Sequence, residues 1–188
     1  MKENVKANSF LHLISSVRSS SLFWILSFTV LTAIAAQITI PVKPVPFTLQ
    51  TMIVLLAGAF LGPKKGAYSQ FIYLGLGAIG LPIFAQTPDG LIGFARLFGP
   101  TGGYLLAFPL AAFLVGYLVQ NFKSYIGVIL SMFAGNLLII LSGTLFLGVF
   151  YLHSLSEAVA FGAAIFSVWM VVKIFVAAAI FFGISKKS

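Results

Sequence analysis

Long apolar runs separated by short polar breaks cover almost the whole chain from residue 22 onward. A helix needs about 20 mostly apolar residues to cross the hydrocarbon core of a bilayer. On this criterion the sequence predicts six spans, over residues 22–40, 47–62, 66–81, 102–120, 125–150 and 158–183. Strand-type alternation is absent, and open strand edges are not tolerated in lipid. We therefore expect an all-α integral membrane protein that forms one six-helix domain.

Proline and glycine punctuate these spans. Gly62-Pro63 stops the second one, and the proline-rich segment PVKPVP, residues 41–46, precedes it. Because a residue before proline is driven into extended backbone, we expect this segment to be extended. Phe47 and Thr48 are then expected to begin the next helix. The polar side chains of the FTLQT stretch would enter the membrane in its first turn.

The composition agrees with a membrane protein. Hydrophobic residues make up 60% of the chain and charged residues only 7%, whereas soluble domains carry about 25% charged residues. The first apolar run has span length and lacks a small-residue cleavage site, so we interpret it as a span and not as a removable signal peptide. Apart from Lys173, the basic residues fall outside the apolar runs without interleaved aromatics, which argues against nucleic-acid binding despite the net charge of +8.

The distribution of cations predicts the orientation, because cytoplasmic loops are enriched in Lys and Arg. With the amino terminus inside, the outer side receives only Lys43 and Arg96. The inner side receives eight cations, namely Lys2, Lys6, Arg18, Lys64, Lys65, Lys123, Lys186 and Lys187. We therefore expect both termini to be cytoplasmic, in a multi-pass protein of the plasma membrane.

Polar residues inside membrane spans are costly and are commonly functional or paired. Lys173 lies ten residues before Gly183, so either it faces the bundle interior in a functional or paired role, or it snorkels. Asn136 is a candidate for a helix–helix hydrogen bond or for ligand contact. Gln37 and Gln50 lie at the outer boundary, where each is a candidate either for capping and pairing or for binding.

Four further polar residues are candidates for a structural role, and two of them are also candidates for a role in binding or in the bundle interior. Gln70 is expected at the membrane interface, and Tyr73 belongs either to an interfacial aromatic belt or to the interior. Arg96, in the polar loop before the fourth span, is suited to hold a carboxylate in a two-pronged fashion. Its alternative is a solvated loop charge paired with Asp89. Thr101 is a candidate cap for the fourth span.

Catalytic chemistry has few candidates in this chain. The two histidines lack metal-ligand spacing, the three acids are scattered through tails and loops, and there is no cysteine. No nucleophile or phosphate-loop motif occurs. We therefore expect no enzyme activity and no cofactor or metal. The remaining interpretation is a small bundle with a polar, outward-facing pocket that binds a small solute, with a negatively charged solute as one option.

Two blocks carry a family resemblance, PVPFTLQT at 44–51 and GPTGGYL at 99–105. Together with the stretch from about residue 33 to 118, and a weaker tail through Lys173, they resemble the BioY family. The members of this family are the biotin-binding substrate-specificity (S) components of energy-coupling factor (ECF) transporters. The resemblance implies a six-helix protein that captures biotin from outside and has no ATPase of its own. It also implies docking on a transmembrane coupling protein and two cytoplasmic ATPases.

The resemblance also implies a set of substrate-binding residues: Thr48, Gln50, Tyr73, Arg96, Asn136 and Lys173. The carboxylate of biotin is expected to face Arg96. The family's Asp-x-x-Lys segment of the last helix reads MVVK here, with Met170 at the position of the acid. An acid and a lysine three residues apart share one helix face and can neutralise each other. Lys173 must therefore be neutral, snorkel, or find another partner, such as the ligand or a backbone carbonyl.

Docking on the coupling protein uses an Ala-x-x-x-Ala pattern on the first helix of such proteins. This chain offers Thr29 with Ala33, or Thr32 with Ala36, and an internal bundle contact is the alternative for both pairs. Two other functions stay open. One is a solitary transporter of biotin or a related small carboxylate without an ECF module. The other is a structural or interaction subunit of the membrane that has no ligand.

Overall fold

Helices make up most of the computed structural model, which describes residues 20–40, 42–87, 89–162 and 167–185. In chain order the α-helices are α1 (Ser21–Gln37), α2 (Gln50–Ala78), α3 (Gly102–Asn121), α4 (Tyr125–Leu147), α5 (Leu155–Gly162) and α6 (Ser167–Ser185). A 3₁₀ helix, Gly93–Phe98, precedes α3, and a π-helical turn, Gly148–Leu152, continues α4. Two short strands, β1 (Thr39–Ile40) and β2 (Phe47–Thr48), lie between α1 and α2.

Helix α2 is interrupted at Gly62, so that it consists of two helical halves. Gly62 has φ 78° and ψ 179°, a backbone conformation that glycine adopts without steric cost. A Cβ atom there would also lie 2.7 Å from the side-chain nitrogen of Gln120. Pro63 follows directly and favours the start of a new helical segment. The break predicted at Gly62-Pro63 is therefore confirmed, and it separates the second and third predicted spans.

The helices pack in a bundle in which α2 contacts α1 and α3, and α3 contacts α4. Helix α6 lies against α2 and α4. The interior contains Val54, Phe108 and Ile139, all buried. Large apolar side chains also lie on the outside; Leu110 is 62% exposed and Leu141 53%. Apolar side chains on the outer face as well as inside are typical of helices surrounded by lipid.

Two helices among the described residues are long and apolar enough to cross a membrane, Gly102–Asn121 and Tyr125–Leu152. Two shorter apolar helices, Ser21–Gln37 and Trp169–Ser185, accompany them. The range predicted as the sixth span contains α5 and α6, with residues 163–166 between them outside the described residues. The terminal cations that entered the orientation argument, Lys2, Lys6, Arg18, Lys186 and Lys187, also lie outside them.

The segment between α1 and α2 differs from the sequence prediction. Phe47 and Thr48 do not begin a helix; they form β2, which pairs antiparallel with β1 so that Thr39 faces Thr48. Helix α1 ends at Gln37, three residues earlier than predicted, and α2 begins at Gln50. The hairpin satisfies backbone groups that a proline-rich segment could not satisfy in a helix.

A buried polar cluster joins α1 to the second half of α2 and bears on the roles expected of Gln70 and the α1 threonines. Thr29 Oγ1 donates to the carbonyl of Ser69 at 2.8 Å, and Gln70 Nε2 donates to Thr32 Oγ1 at 3.2 Å. Gln70 has 0% exposure, so its side chain faces the bundle interior and not the membrane surface. Thr29 and Thr32 are 3% and 0% exposed and face the bundle interior, which favours the internal contact over docking on a partner.

The two alanines of the docking prediction, Ala33 and Ala36, are also covered in whole or in part by the bundle. Ala36 is 0% exposed, so its side chain is covered by the bundle and cannot meet a second protein in this conformation. Ala33 is only partly buried and packs against the core. The burial of these small residues is consistent with the internal contact, in which α1 closely approaches its neighbours.

Candidate functional site

A pocket lies where the β1–β2 hairpin, the start of α2, the 3₁₀ region, α3, α4 and α6 meet. Its space reaches about 660 Å³ when the open mouth is included. Five of the six predicted substrate-binding residues line it, namely Thr48, Gln50, Arg96, Asn136 and Lys173. Apolar side chains supply much of the remaining wall: Val45, Pro46, Leu105, Phe108, Ile139, Ile140 and Met170. A mostly apolar cavity with a few polar groups is typical of a small-molecule site.

Lys173 reaches from α6 to the hairpin side of the pocket. Its Nζ atom donates to the backbone carbonyl of Thr48 and to Thr51 Oγ1, both at 3.0 Å. The paired, inward-facing reading is therefore favoured over snorkelling. Both acceptors are neutral oxygens, and no acid is among the pocket-lining residues. Thr51, which the sequence analysis did not select as a site residue, thus helps to hold the Lys173 ammonium. An acid at position 170 would have neutralised that charge.

Gln50 lines the pocket, but Tyr73 does not. Gln50 Nε2 donates to Tyr73 Oη at 2.6 Å, and Tyr73 Oη donates to the carbonyl of Ile83 at 3.2 Å. Tyr73 is 0% exposed and packs beside Phe84 and Phe108. The direct contact of Tyr73 with a ligand stays a prediction, and in this conformation the side chain lies behind the pocket wall. Its hydroxyl is committed to protein partners and fixes the orientation of Gln50.

Arg96 is held inside the protein by the 3₁₀ helix Gly93–Phe98. Its side chain is 2% exposed, and Nη1 forms an ion pair with Asp89 at 3.3 Å. Nη1 also donates to the carbonyl of Leu91 at 3.4 Å, and Nη2 donates to the carbonyl of Ala85. The alternative prediction for Arg96 was a solvated loop charge paired with Asp89. The pairing is confirmed, but the charge is buried and not solvated.

The electrostatics of Arg96 follow from these contacts. Burial lowers the pKa of the guanidinium from its ordinary value, and the Asp89 carboxylate opposes that shift. The group nevertheless stays protonated at neutral pH, because arginine is effectively always charged in proteins. The pocket therefore has one buried guanidinium, partly neutralised, on its loop side and the Lys173 ammonium on its hairpin side.

Asn136 presents its side chain to the pocket from the middle of α4. The residue is 4% exposed and lines the cavity. Its amide makes no hydrogen bond to any of the residues that the structure describes, whereas a helix–helix bond would have required such a partner. The geometry thus favours ligand contact. For Gln37 the geometry favours the pairing role, since its Nε2 donates to the carbonyls of Ala33 and Ile83 at 3.3 and 3.4 Å.

Thr101 and Tyr104 also line the pocket, although the sequence analysis did not select them as site residues. Thr101 was expected to cap α3, but it has φ −95° and ψ −1° and makes no side-chain cap bond. The Tyr104 hydroxyl donates to the carbonyl of Gly162 at 2.9 Å, which links α3 to α5. Both residues belong to the GPTGGYL block, which was the available sequence signal for them.

Comparisons with known proteins agree on one family. The model of the BioY family matches residues 4–188. The "Biotin transporter BioY" of Thermotoga maritima is 40% identical over 159 residues, which cover 85% of this chain and 92% of that protein. The "Probable biotin transporter BioY" of Pyrococcus horikoshii is 51% identical over 89 residues, covering 47% of this chain and 53% of that protein.

A solved structure has the same fold. It is the crystal structure of the "S-component for biotin from an ECF-type ABC transporter", with a TM-score of 0.81 and 26% sequence identity. The match covers 89% of this chain and 92% of that one. The apolar helices and the transporter relatives together identify a membrane protein. The resemblance inferred from PVPFTLQT and GPTGGYL is thus confirmed, and this chain belongs to the BioY family.

Proposed function

We propose that this protein is a biotin-binding substrate-specificity subunit that captures biotin from outside the cell and mediates its uptake. The single observation that carries this function is the pocket, in which a buried, charged Arg96 stands at one side of a largely apolar cavity. Biotin has one carboxylate, an apolar chain and a compact ring with a ureido group. The named relatives bind or transport the same ligand.

The proposed pose places the carboxylate of biotin toward Arg96 and the rings among the apolar side chains. Val45, Phe108 and Ile139 offer that apolar surface. The amide of Asn136 supplies both a donor and an acceptor for the ureido group. Lys173 has a third N–H beyond the two that it gives to Thr48 and Thr51, and this one serves the ureido oxygen. Gln50 and Thr48 complete the polar wall.

The topology proposed here is a single six-helix membrane domain with both termini in the cytoplasm of a plasma-membrane protein. The exposed pair Lys64 and Lys65 lies just after the Gly62 break, at the turn between the two halves of α2. A cationic turn suits the cytoplasmic side. The hairpin and the pocket lie at the other end of the first half of α2, which supports a pocket that opens to the outer side.

The energy source proposed for uptake is an ECF module, consisting of a transmembrane coupling protein and two cytoplasmic ATPases. The similarity to an S-component of an ECF-type transporter supports this assignment. Accordingly, we expect the chain to have no intrinsic ATPase activity. A solitary transporter of biotin remains the second candidate. The buried docking residues Thr29 and Thr32 favour it in one respect, because α1 does not present them to a partner.

Calorimetry on the purified protein in detergent tests the function directly, with lipoate and desthiobiotin as comparators. We expect nanomolar, biotin-selective binding. A protein that is folded by circular dichroism but binds no biotin would overturn the assignment. Uptake of labelled biotin in cells with and without an ECF module then separates the two transport candidates.

A further inference from the structure

Two buried polar atoms in the pocket wall have no hydrogen-bond partner among the described residues, Arg96 Nε and Thr101 Oγ1. Arg96 is 2% exposed and Thr101 is 7% exposed. Buried donors are almost always satisfied in folded proteins, because an unmet donor keeps the full cost of its desolvation. Two such donors in the wall of one cavity point to an acceptor that the described residues do not supply.

The loop between these residues brings them to the same side of the pocket. The N–H of Gly99 donates to the carbonyl of Arg96 at 3.1 Å, and the N–H of Gly102 donates to the carbonyl of Gly99 at 2.8 Å. Two successive tight turns therefore connect Arg96 with the first residues of α3. A Cβ atom on Gly102 would lie 2.0 Å from the carbonyl oxygen of Leu97, so the chain can only take this path with glycine there.

The two terminal nitrogens of Arg96 donate to other residues of the protein. Nη1 serves Asp89 and Leu91, and Nη2 serves Ala85. Asp89 also neutralises part of the guanidinium charge, which weakens Arg96 as an anion site on its own. An anion held here needs further donors. Nε makes no bond to a described residue and Nη2 has a second N–H, and Nε lies on the edge of the guanidinium that can meet one oxygen of a carboxylate.

Thr101 is suited to supply the second donor. Its helical backbone geometry keeps the hydroxyl from capping α3, so the hydroxyl has no local backbone partner. Its own carbonyl accepts from Leu105 and already belongs to the helix. The amino end of a helix carries a partial positive charge that favours anions. A hydroxyl donor at that end strengthens the preference for a charged oxygen.

We propose that Arg96 Nε and Thr101 Oγ1 form a two-donor clamp for the ligand carboxylate at the amino end of α3. The clamp rests on the proposed function, and it adds Thr101 as a residue that selects the ionised acid over its neutral derivatives. A carboxylate has two oxygens, so one can accept from the guanidinium and the other from the hydroxyl. An amide in the same place can only make a neutral bond with the Thr101 hydroxyl, which accepts from its NH₂ group, and such a bond is weaker than one to an ionised carboxylate.

The test compares Thr101→Val, which keeps the shape and removes the hydroxyl, with Thr101→Ser, which keeps the hydroxyl. Calorimetric titration uses biotin and biotinamide with the wild type and both variants. Thr101→Val should weaken biotin binding about tenfold or more, since a hydrogen bond to a charged group is at stake. Biotinamide binding should change much less, and Thr101→Ser should bind biotin nearly as well as the wild type.

Three results would overturn the clamp: unchanged biotin affinity in Thr101→Val, equal losses for biotin and biotinamide, or no rescue by serine. Failure of the proposed function has a different signature, namely a folded wild type that binds neither compound. In that case thermal shifts are measured with lipoate and its amide. Stabilisation by the acid that Thr101→Val removes supports the clamp for another carboxylate, and its absence rejects the clamp as well.

Discussion

The α1–α2 interface and the pocket both bury polar side chains, but the two regions differ in how far those side chains are hydrogen-bonded. At the interface, Thr29, Thr32, Ser69 and Gln70 bond to one another or to nearby carbonyls. In the pocket, Arg96 Nε and Thr101 Oγ1 have no hydrogen-bond partner in the part of the chain that the structure describes. Burial alone thus does not identify a binding site. The useful criterion is whether the protein satisfies its own buried donors and acceptors.

Replacing Arg96 should have the largest effect on binding. Arg96→Ala removes the buried charge and leaves Asp89 without its partner. Truncating one member of a buried charged contact costs about 2–5 kcal/mol, so the dissociation constant for biotin should rise at least about thirtyfold. Calorimetry measures this change.

The control for Arg96→Ala is a biotin ester, which lacks the ionised carboxylate. Its affinity should fall far less than that of biotin. Equal losses for the acid and the ester would show that Arg96 supports the loop and does not hold the carboxylate.

Replacing Lys173 should have an intermediate effect. Lys173→Met removes the ammonium and its bonds to Thr48 and Thr51, and a hydrogen bond from a charged donor contributes about 1.5–3 kcal/mol. Biotin binding should weaken about tenfold or more. Thr51→Val is the matched variant, because it removes one acceptor and leaves the lysine in place. Unchanged affinity in Lys173→Met would show that the ammonium serves only to tie α6 to the hairpin.

Replacing Gln70 should have the smallest effect on binding and a clear effect on stability. Gln70→Met keeps the length of the side chain and removes its bonds to Thr32 and Ser69. The loss of these neutral bonds should lower the free energy of unfolding by about 1–2 kcal/mol, which thermal denaturation in detergent reports. Biotin affinity of the folded variant should stay unchanged. A large loss of affinity would contradict the division between a satisfied interface and an unsatisfied site.

The sequence predicted the helical architecture well, because apolar runs of span length and the Gly62-Pro63 break are local signals. It did not predict the hairpin. Phe47 and Thr48 have high strand propensity, but the partner strand, Thr39–Ile40, lay inside the range predicted for the first span. Pairing between two segments of two residues leaves no periodic pattern along the chain.

Part of the pocket followed from residue type and the family resemblance, and part depended on contacts between distant residues. Lys173, Arg96 and Asn136 stood out because ionisable and amide groups are rare in spans or at their ends. The sequence could not show that the Tyr73 hydroxyl bonds to Gln50 and Ile83, because those contacts join residues that are distant along the chain. Thr101 was assigned to capping, because that is the ordinary role of threonine before a helix.

The bond between Lys173 and the hairpin has a consequence for how the protein is made. Its partners, Thr48 and Thr51, lie 125 and 122 positions earlier in the chain. During synthesis these threonines are made first, and the pocket wall can close only after the last helix has been added. A chain that stops before α6 therefore has the loop arginine but an open wall. Binding at full affinity thus requires that α6 has been inserted and packed against the hairpin.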